Sequence, residues 1–191
     1  QGSELSILKG ASDTLNHSVF GVEVEVNILE RYKGQNYFSD VDTFLRLHNF
    51  ELFDLERRYC KRDGLSNIGA EKGQLTHCTA LYFRSIKATR NLILMLPIDK
   101  RIDYLFHYIF MLMLYGYADT ALVFLKKNQD LLDSEQFNEF SRFIMKHAQE
   151  PFMLFGRRGS YKLWKLLEMF ARICKPRSMQ GVSGDVYLGN F

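Results

Sequence analysis

The sequence predicts an α/β fold in which the C-terminal half of a doubly wound sheet is followed by an α-helical extension. Two changes of apolar period carry this expectation. Val22, Val24, Val26 and Ile28 alternate with Glu23, Glu25 and Asn27, the period of two that a strand needs, between stretches of helical spacing. From Asn91 onward the strand signals stop and helical spacing takes over. Helix, strand, helix, strand, loop, strand is the order that the second half of a doubly wound sheet requires.

Leu5 and Leu8 fall three apart in a short helix expected to start near Ser3 and to stop at Gly10, where a residue without Cβ takes the left-handed cap. After the alternating strand, Ser39 and Asp42 mark a helix start, with Val41, Phe44 and Leu45 as its buried stripe. Phe50 to Leu55 reads as the second strand, Gly64 to Gly73 as a glycine-bearing excursion, and Thr79 to Phe83 as the third strand.

Ile102, Leu105, Phe106 and Ile109 open the helical part, which continues to Tyr115 and breaks at Gly116. Its charge-free stretch, Tyr104 to Ala118, is shorter than the ~20 residues of a membrane crossing and contains His107, so a buried helix and no transmembrane segment is expected. Asp119 to Lys127 pairs back on it. Asp133 and Gln136 cap a third helix, with Phe137, Phe140 and Ile144 inward and Glu150-Pro151 closing it. Ser160 starts a fourth, with Leu163, Leu166, Leu167 and Phe170 on one face and Pro176 beyond its end. The turn Tyr115-Gly116-Tyr117-Ala118 resembles one unit of a tetratricopeptide repeat, without a second copy at a fixed period. The chain thus divides into 1–91, a helical 92–176, and a glycine-bearing tail 177–191 expected to be loosely ordered.

Composition bounds the function classes. At 191 residues and 47% hydrophobic, the chain can bury one or two real cores. Cys60, Cys78 and Cys174 are an odd number at wide spacing, which fits a reducing, cytoplasmic compartment and argues against a disulfide framework or a zinc site. The net charge of +3 is unevenly spread. Arg157, Arg158, Lys162, Lys165, Arg172, Lys175 and Arg177 face only Glu168 and Asp185 after residue 150, so residues 157–177 are a candidate contact with an anionic membrane surface, against the blander reading of a solvated helix face. Basic and aromatic residues do not interleave as a nucleic-acid surface requires, so no nucleic-acid partner is expected. His17, His48, His77, His107 and His147 have no Cys, Asp or second His at ligand spacing, so no metal is expected.

The opening Gln1-Gly2-Ser3-Glu4-Leu5-Ser6-Ile7-Leu8-Lys9-Gly10-Ala11 reads as the middle of a motif. With Gly21-Val22-Glu23-Val24-Glu25-Val26, Tyr32-Lys33-Gly34-Gln35 and Phe50-Glu51-Leu52-Phe53-Asp54-Leu55, it resembles the C-terminal part of the FkbM-type methyltransferases over residues 1–91. The resemblance implies a Rossmann-like doubly wound methyltransferase sheet, S-adenosylmethionine as cofactor, and methyl transfer to a hydroxyl of a sugar or other small molecule. A strand ending Lys-Ile-Asp-x and a glycine-rich cofactor loop are then expected upstream of Gln1, and the piece alone is expected to be inactive. Gly2 and Glu4 match the family's Gly-x-Glu, which implies a cofactor contact at Gly2 and a chemical role for Glu4.

Chemistry in such a sheet gathers at the carboxyl ends of parallel strands, here Gln1 to Glu4, Asn27 to Tyr32 and Leu55 to Arg62. Glu4 also suits a first helical turn for its dipole alone, at ~0.3–1 kcal/mol. Glu23 and Glu25 share one face of the strand, ~7 Å apart, where an apolar run is the norm. That face opens onto a pocket or water, or the charges are paired by Arg or Lys. Glu25, nearer the carboxyl end, is the candidate proton acceptor. Arg57, Arg58, Lys61 and Arg62 follow the second strand and are candidate acceptor-binding cations, the alternative being a solvated charge run. His77, ahead of the third strand, is a more distant acid/base candidate. The other function class is a helical protein-interaction or membrane-surface module in 92–176.

Overall fold

Alternation of Val22, Val24 and Val26 with Glu23 and Glu25 does produce a strand, and the computed structural model places it at one side of a three-stranded sheet. The structure describes residues 2–60, 73–148 and Phe170. In chain order these are α1 (Glu4–Gly10), α2 (Ser12–His17), β1 (Gly21–Asn27), α3 (Phe38–Leu47), β2 (Phe50–Cys60), β3 (Gln74–Arg84), α4 (Ile86–Met95), α5 (Ile98–Leu114), α6 (Ala118–Lys127) and α7 (Ser134–Ala148), with a 3₁₀ turn at Gln129–Leu131. The expected fourth helix from Ser160, the excursion at Gly64 and the tail lie outside the described residues.

The fold is mixed α/β, but the sheet is not a parallel ladder. Its order is β1-β3-β2, and β3 is antiparallel to both neighbours. β1 and β2 therefore run in the same direction, with α3 as the crossover between them and β3 inserted between the two. The physical reason lies in the connections. A parallel pairing needs a crossover of a dozen or more residues, usually a helix. Residues 28–49 carry the amphipathic α3 as a crossover, whereas only the thirteen residues from Lys61 to Gly73, three of them glycine, join β2 to β3.

Both faces of β3 are covered. Cys78, Ala80 and Tyr82 pack with Val26 against Leu5, Leu8, Leu15, Val41 and Leu45 of α1 to α3. Leu81 and Phe83 turn the other way, into a core with Leu105, Tyr108, Ile109 and Leu112 of α5 and Phe124 and Leu125 of α6. The helical part is thus a lid on one face of the sheet.

Several expected boundaries move. Gly10 is the last helical residue and does not take a left-handed conformation, because the chain turns straight into α2, bonded from Leu15 N–H to Ala11 O. α3 begins one residue before Ser39, and the Asp40 carboxylate accepts the Tyr37 N–H at 2.8 Å. α3 ends at Leu47 and the chain leaves it through Asn49, the one non-glycine residue with positive φ (65°) among those described, a conformation Asn tolerates. β2 runs on to Cys60 and β3 starts at Gln74, so His77 lies inside a strand. α7 starts as its sequence indicates: Gln136 N–H donates to Asp133 Oδ1 and Asp133 N–H to Gln136 Oε1, a reciprocal cap. α4 spans residues 91–92, where the strand signals end.

At Gly21 the sheet and the lid are tightly packed. A Cβ there would stand 2.9 Å from the Phe83 ring and 3.1 Å from Met111 Sδ. Phe83 is fully buried and edge-on to Phe53, Tyr115 and Tyr117 at 4.8, 5.5 and 5.8 Å, so it cannot yield. Gly21→Ala is expected to destabilise the fold by ~1–3 kcal/mol through overpacking, read as a lower denaturant midpoint at unchanged slope.

Candidate functional site

Pairing in the sheet decides which sequence candidates meet. Glu25 pairs with Thr79, which pairs with Glu56, and on the next rung Asn27 pairs with His77, which pairs with Arg58. All six point to the face that carries Leu81 and Phe83 further along, since alternate residues share a face. One face of the sheet therefore passes from an apolar half under α5 and α6 to a polar half at the carboxyl ends of β1 and β2. Glu25, His77 and Arg58, separated by up to 52 residues of sequence, stand together there.

Residues 28–36 bring further groups to this edge. Ile28 and Leu29 N–H both donate to Thr76 O, at 2.9 and 3.2 Å. Gln35, nearly buried, staples the turn: its Nε2 donates to Leu29 O at 2.7 Å and its Oε1 accepts from Tyr32 N–H at 3.0 Å. The stapled turn sets Arg31 against Glu25, with Nη1 3.7 Å from Oε1. The pair is exposed, so it orients more than it stabilises. Of the two possibilities for the acidic face of β1, both hold in part. Glu23 is exposed and accepts from the Tyr115 hydroxyl at 3.3 Å, while Glu25 is paired by Arg31.

His77 is half-buried, and its Nδ1 lies 2.9 Å from the Thr76 hydroxyl. Burial holds its pKa below the ordinary value, with the nearby Arg31 and Arg58 charges adding to the shift and Glu25 opposing it. A neutral imidazole follows at neutral pH. Asn27 is 4% exposed, and its Oδ1 is a buried acceptor with no hydrogen-bond donor among the described residues. Such a group is costly to leave unmet, and it stands on the rung beside His77.

The cationic run divides. Successive residues on a strand face opposite ways, so Arg58 joins His77 while Arg57, opposite Cys78, points to the other face. The two cannot hold one acceptor. Arg58 is ion-paired with Glu56. Lys61 and Arg62 lie outside the described residues. Glu4 directs its Oε1 to the Gly2 N–H at 3.0 Å, which serves the first turn of α1. Gly2, at φ +83°, lies against the stapled turn, a Cβ there reaching Gln35 Cβ at 3.7 Å and the Tyr32 ring at 3.8 Å.

Arg31, Asn27, Thr79 and Glu56 were not singled out by sequence pattern. Asn27 and Arg31 fall in the segment after β1 where ligand contacts are expected, and the polar residue closing an otherwise apolar alternation is the signal for Asn27. No pattern marks Thr79 or Glu56 without the register. Among the described residues no cluster of His, Cys, Asp and Glu could hold a metal ion, and no helix is long and apolar enough to cross a membrane. The chain matches no protein-family model, no curated protein and no solved structure.

Proposed function

We propose that this chain is the acceptor-binding part of an S-adenosylmethionine-dependent O-methyltransferase, acting on a hydroxyl of a sugar or other small molecule. The observation that carries the reading is the convergence of Glu25, His77 and Arg58 on adjacent rungs of one open sheet face. His77, kept neutral by burial, suits the removal of a hydroxyl proton better than Glu25, whose charge is engaged by Arg31. Arg58 and Arg31 flank that imidazole and supply donors for the oxygens of the acceptor. Aligning the acceptor oxygen for in-line attack is the larger part of the work in such a transfer.

The bound cofactor would contribute an electrophilic methyl on a sulfonium centre. The described residues fit it in part: Asn27 Oδ1 is an acceptor awaiting a donor, and Gly2 leaves side-chain-free space beside Tyr32 and Gln35. They supply no glycine-rich loop for the rest of its grip, so the cofactor assignment rests on the resemblance of residues 1–91. The sheet order β1-β3-β2 with α3 as crossover is compatible with one end of a larger Rossmann-like sheet. A second reading, a helical interaction module, is favoured by the exposed stripe Phe106, Phe110 and Leu114 on α5.

Steady-state methylation by the complete enzyme separates these readings. His77→Gln is expected to lower kcat about 100-fold with the fold intact by circular dichroism. Arg58→Ala is expected to raise KM at nearly constant kcat, as removal of uniform binding does. Glu25→Gln, which only loosens Arg31, is expected to have the smallest effect on kcat of the three. Unchanged turnover in His77→Gln would leave the interaction reading standing.

The titration of His77 can be followed by NMR. Its pKa is expected below the ordinary value of about 6.5. Arg31→Gln removes a lowering charge and should move it up, and Glu25→Gln removes the raising charge and should move it down. Because the folded pKa is depressed, the unfolded chain takes up this proton first as pH falls. Stability is then lost on acidification below about 6.5 through the folded value, and His77→Gln should flatten that part of the profile.

A further inference from the structure

At the opposite end of the sheet, where β3 leaves at Arg84 and α4 begins, lies a cavity of about 270 Å³. Its polar lining residues are Arg84, Lys87, Asn16, Asn49, Asn91 and Ser85, the N-cap of α4. Among the described residues no acidic side chain lines it. Arg84 is 3% exposed, and no carboxylate lies within ion-pair distance of it among the described residues. Its Nε donates to Val19 O at 3.0 Å, one Nη donates to Leu15 O, and the Phe50 ring lies 4.9 Å from its Cζ. Two carbonyls and a ring face soften the charge without cancelling it. Burial accordingly lowers the Arg84 pKa.

A buried cation without a counter-ion is expensive to keep unless something anionic visits it. The surroundings multiply that demand. The first turn of α4 presents backbone N–H groups at the positive end of a ten-residue helix, and the Ser85 hydroxyl takes only the Ala88 N–H, at 3.3 Å. Asn49 is fixed there by its left-handed backbone and by accepting the Ser85 N–H at 2.8 Å. A lining that combines an arginine, a lysine, three asparagines and the first turn of a helix is rich in donors and suits a tetrahedral oxyanion better than a flat carboxylate. The volume exceeds that of a bare phosphate and leaves room for an ester group.

We propose that this cavity binds the phosphate of a small phosphomonoester, at a site separate from the His77 edge and independent of the methyl-transfer reading. Along β3 the two places, His77 and Arg84, are seven residues apart, so they stand on the order of 25 Å from each other. Met95 at the rim is 82% exposed and gives the mouth an apolar lip. The phosphate is therefore carried either by a soluble metabolite or by a lipid headgroup.

The test uses the full chain with three probes: inorganic phosphate, glycerol 3-phosphate, and phosphatidylcholine vesicles with and without phosphatidic acid. Millimolar phosphate and glycerol 3-phosphate are expected to shift the amide resonances of Ser85, Lys87 and Ala88 and to raise Tm, while sodium chloride at equal ionic strength does neither. Lys87→Glu and Asn91→Asp, at exposed positions, should weaken binding at least ~10-fold without lowering the ligand-free Tm, since an acid at position 87, in the first turn of α4, is itself favourable there. Binding of vesicles with phosphatidic acid but of neither soluble probe, abolished by Lys87→Glu, assigns the phosphate to a lipid. Absence of amide shifts with every probe, or equal affinity in Lys87→Glu, overturns the proposal.

Discussion

Tyr82 and Phe83 are consecutive residues of β3, both fully buried, and they anchor different cores. That is possible only because β3 is the middle strand, hydrogen-bonded on both edges and covered on both faces. Everything else is referred to it. α1 to α3 reach the sheet through Ala80 and Tyr82, and α5 and α6 reach it through Leu81 and Phe83. Polar anchors reinforce the same strand: the Tyr82 hydroxyl donates to Asp42 of α3 at 3.1 Å, and the Tyr108 hydroxyl of α5 donates to Arg84 O at 2.6 Å. Burial of Tyr82 beside the Asp42 charge pushes the phenol pKa well up, so this tie keeps its proton at any physiological pH.

One face of the sheet carries a gradient. It is aromatic and closed at the Gly21–Phe83 end and charged and open at the Asn27–His77 end. The helical lid stops short of the second half, and the last contact before the opening is the Tyr115 hydroxyl on Glu23. The candidate site and the packed core thus divide one surface between them, with the packed half holding the rungs of the polar half in register.

The local features legible in the sequence are those set by local physics. The alternation in β1, the amphipathic stripe of α3, the break at Gly116 and the reciprocal cap of α7 each depend on a few neighbouring residues. Strand direction depends on how distant segments pair, which periodicity does not encode. β2 shows a further limit. Phe50, Leu52 and Leu55 all lie on the side of α1 to α3, although a regular strand would put Asp54 there. A bulge between Leu52 and Asp54 inserts Phe53 and resets the alternation, sending Phe53 to the opposite core. The same limit applies to the candidate site. Glu25, His77 and Arg58 were identifiable by residue type and strand position, but their meeting is a matter of register. Arg57 and Arg58 are equivalent in sequence and separated only by the pleat.

The order β1-β3-β2 also fixes an order of events. β1 and β2 do not pair with each other in the finished sheet, because β3, which follows both in the sequence, lies between them. As the chain grows from its N-terminus, both strands carry unsatisfied edges until residues 74–84 have emerged. The hydrogen bonds of the whole sheet then form in one closing step across long sequence separations, which makes that step the slow and association-prone stage of folding.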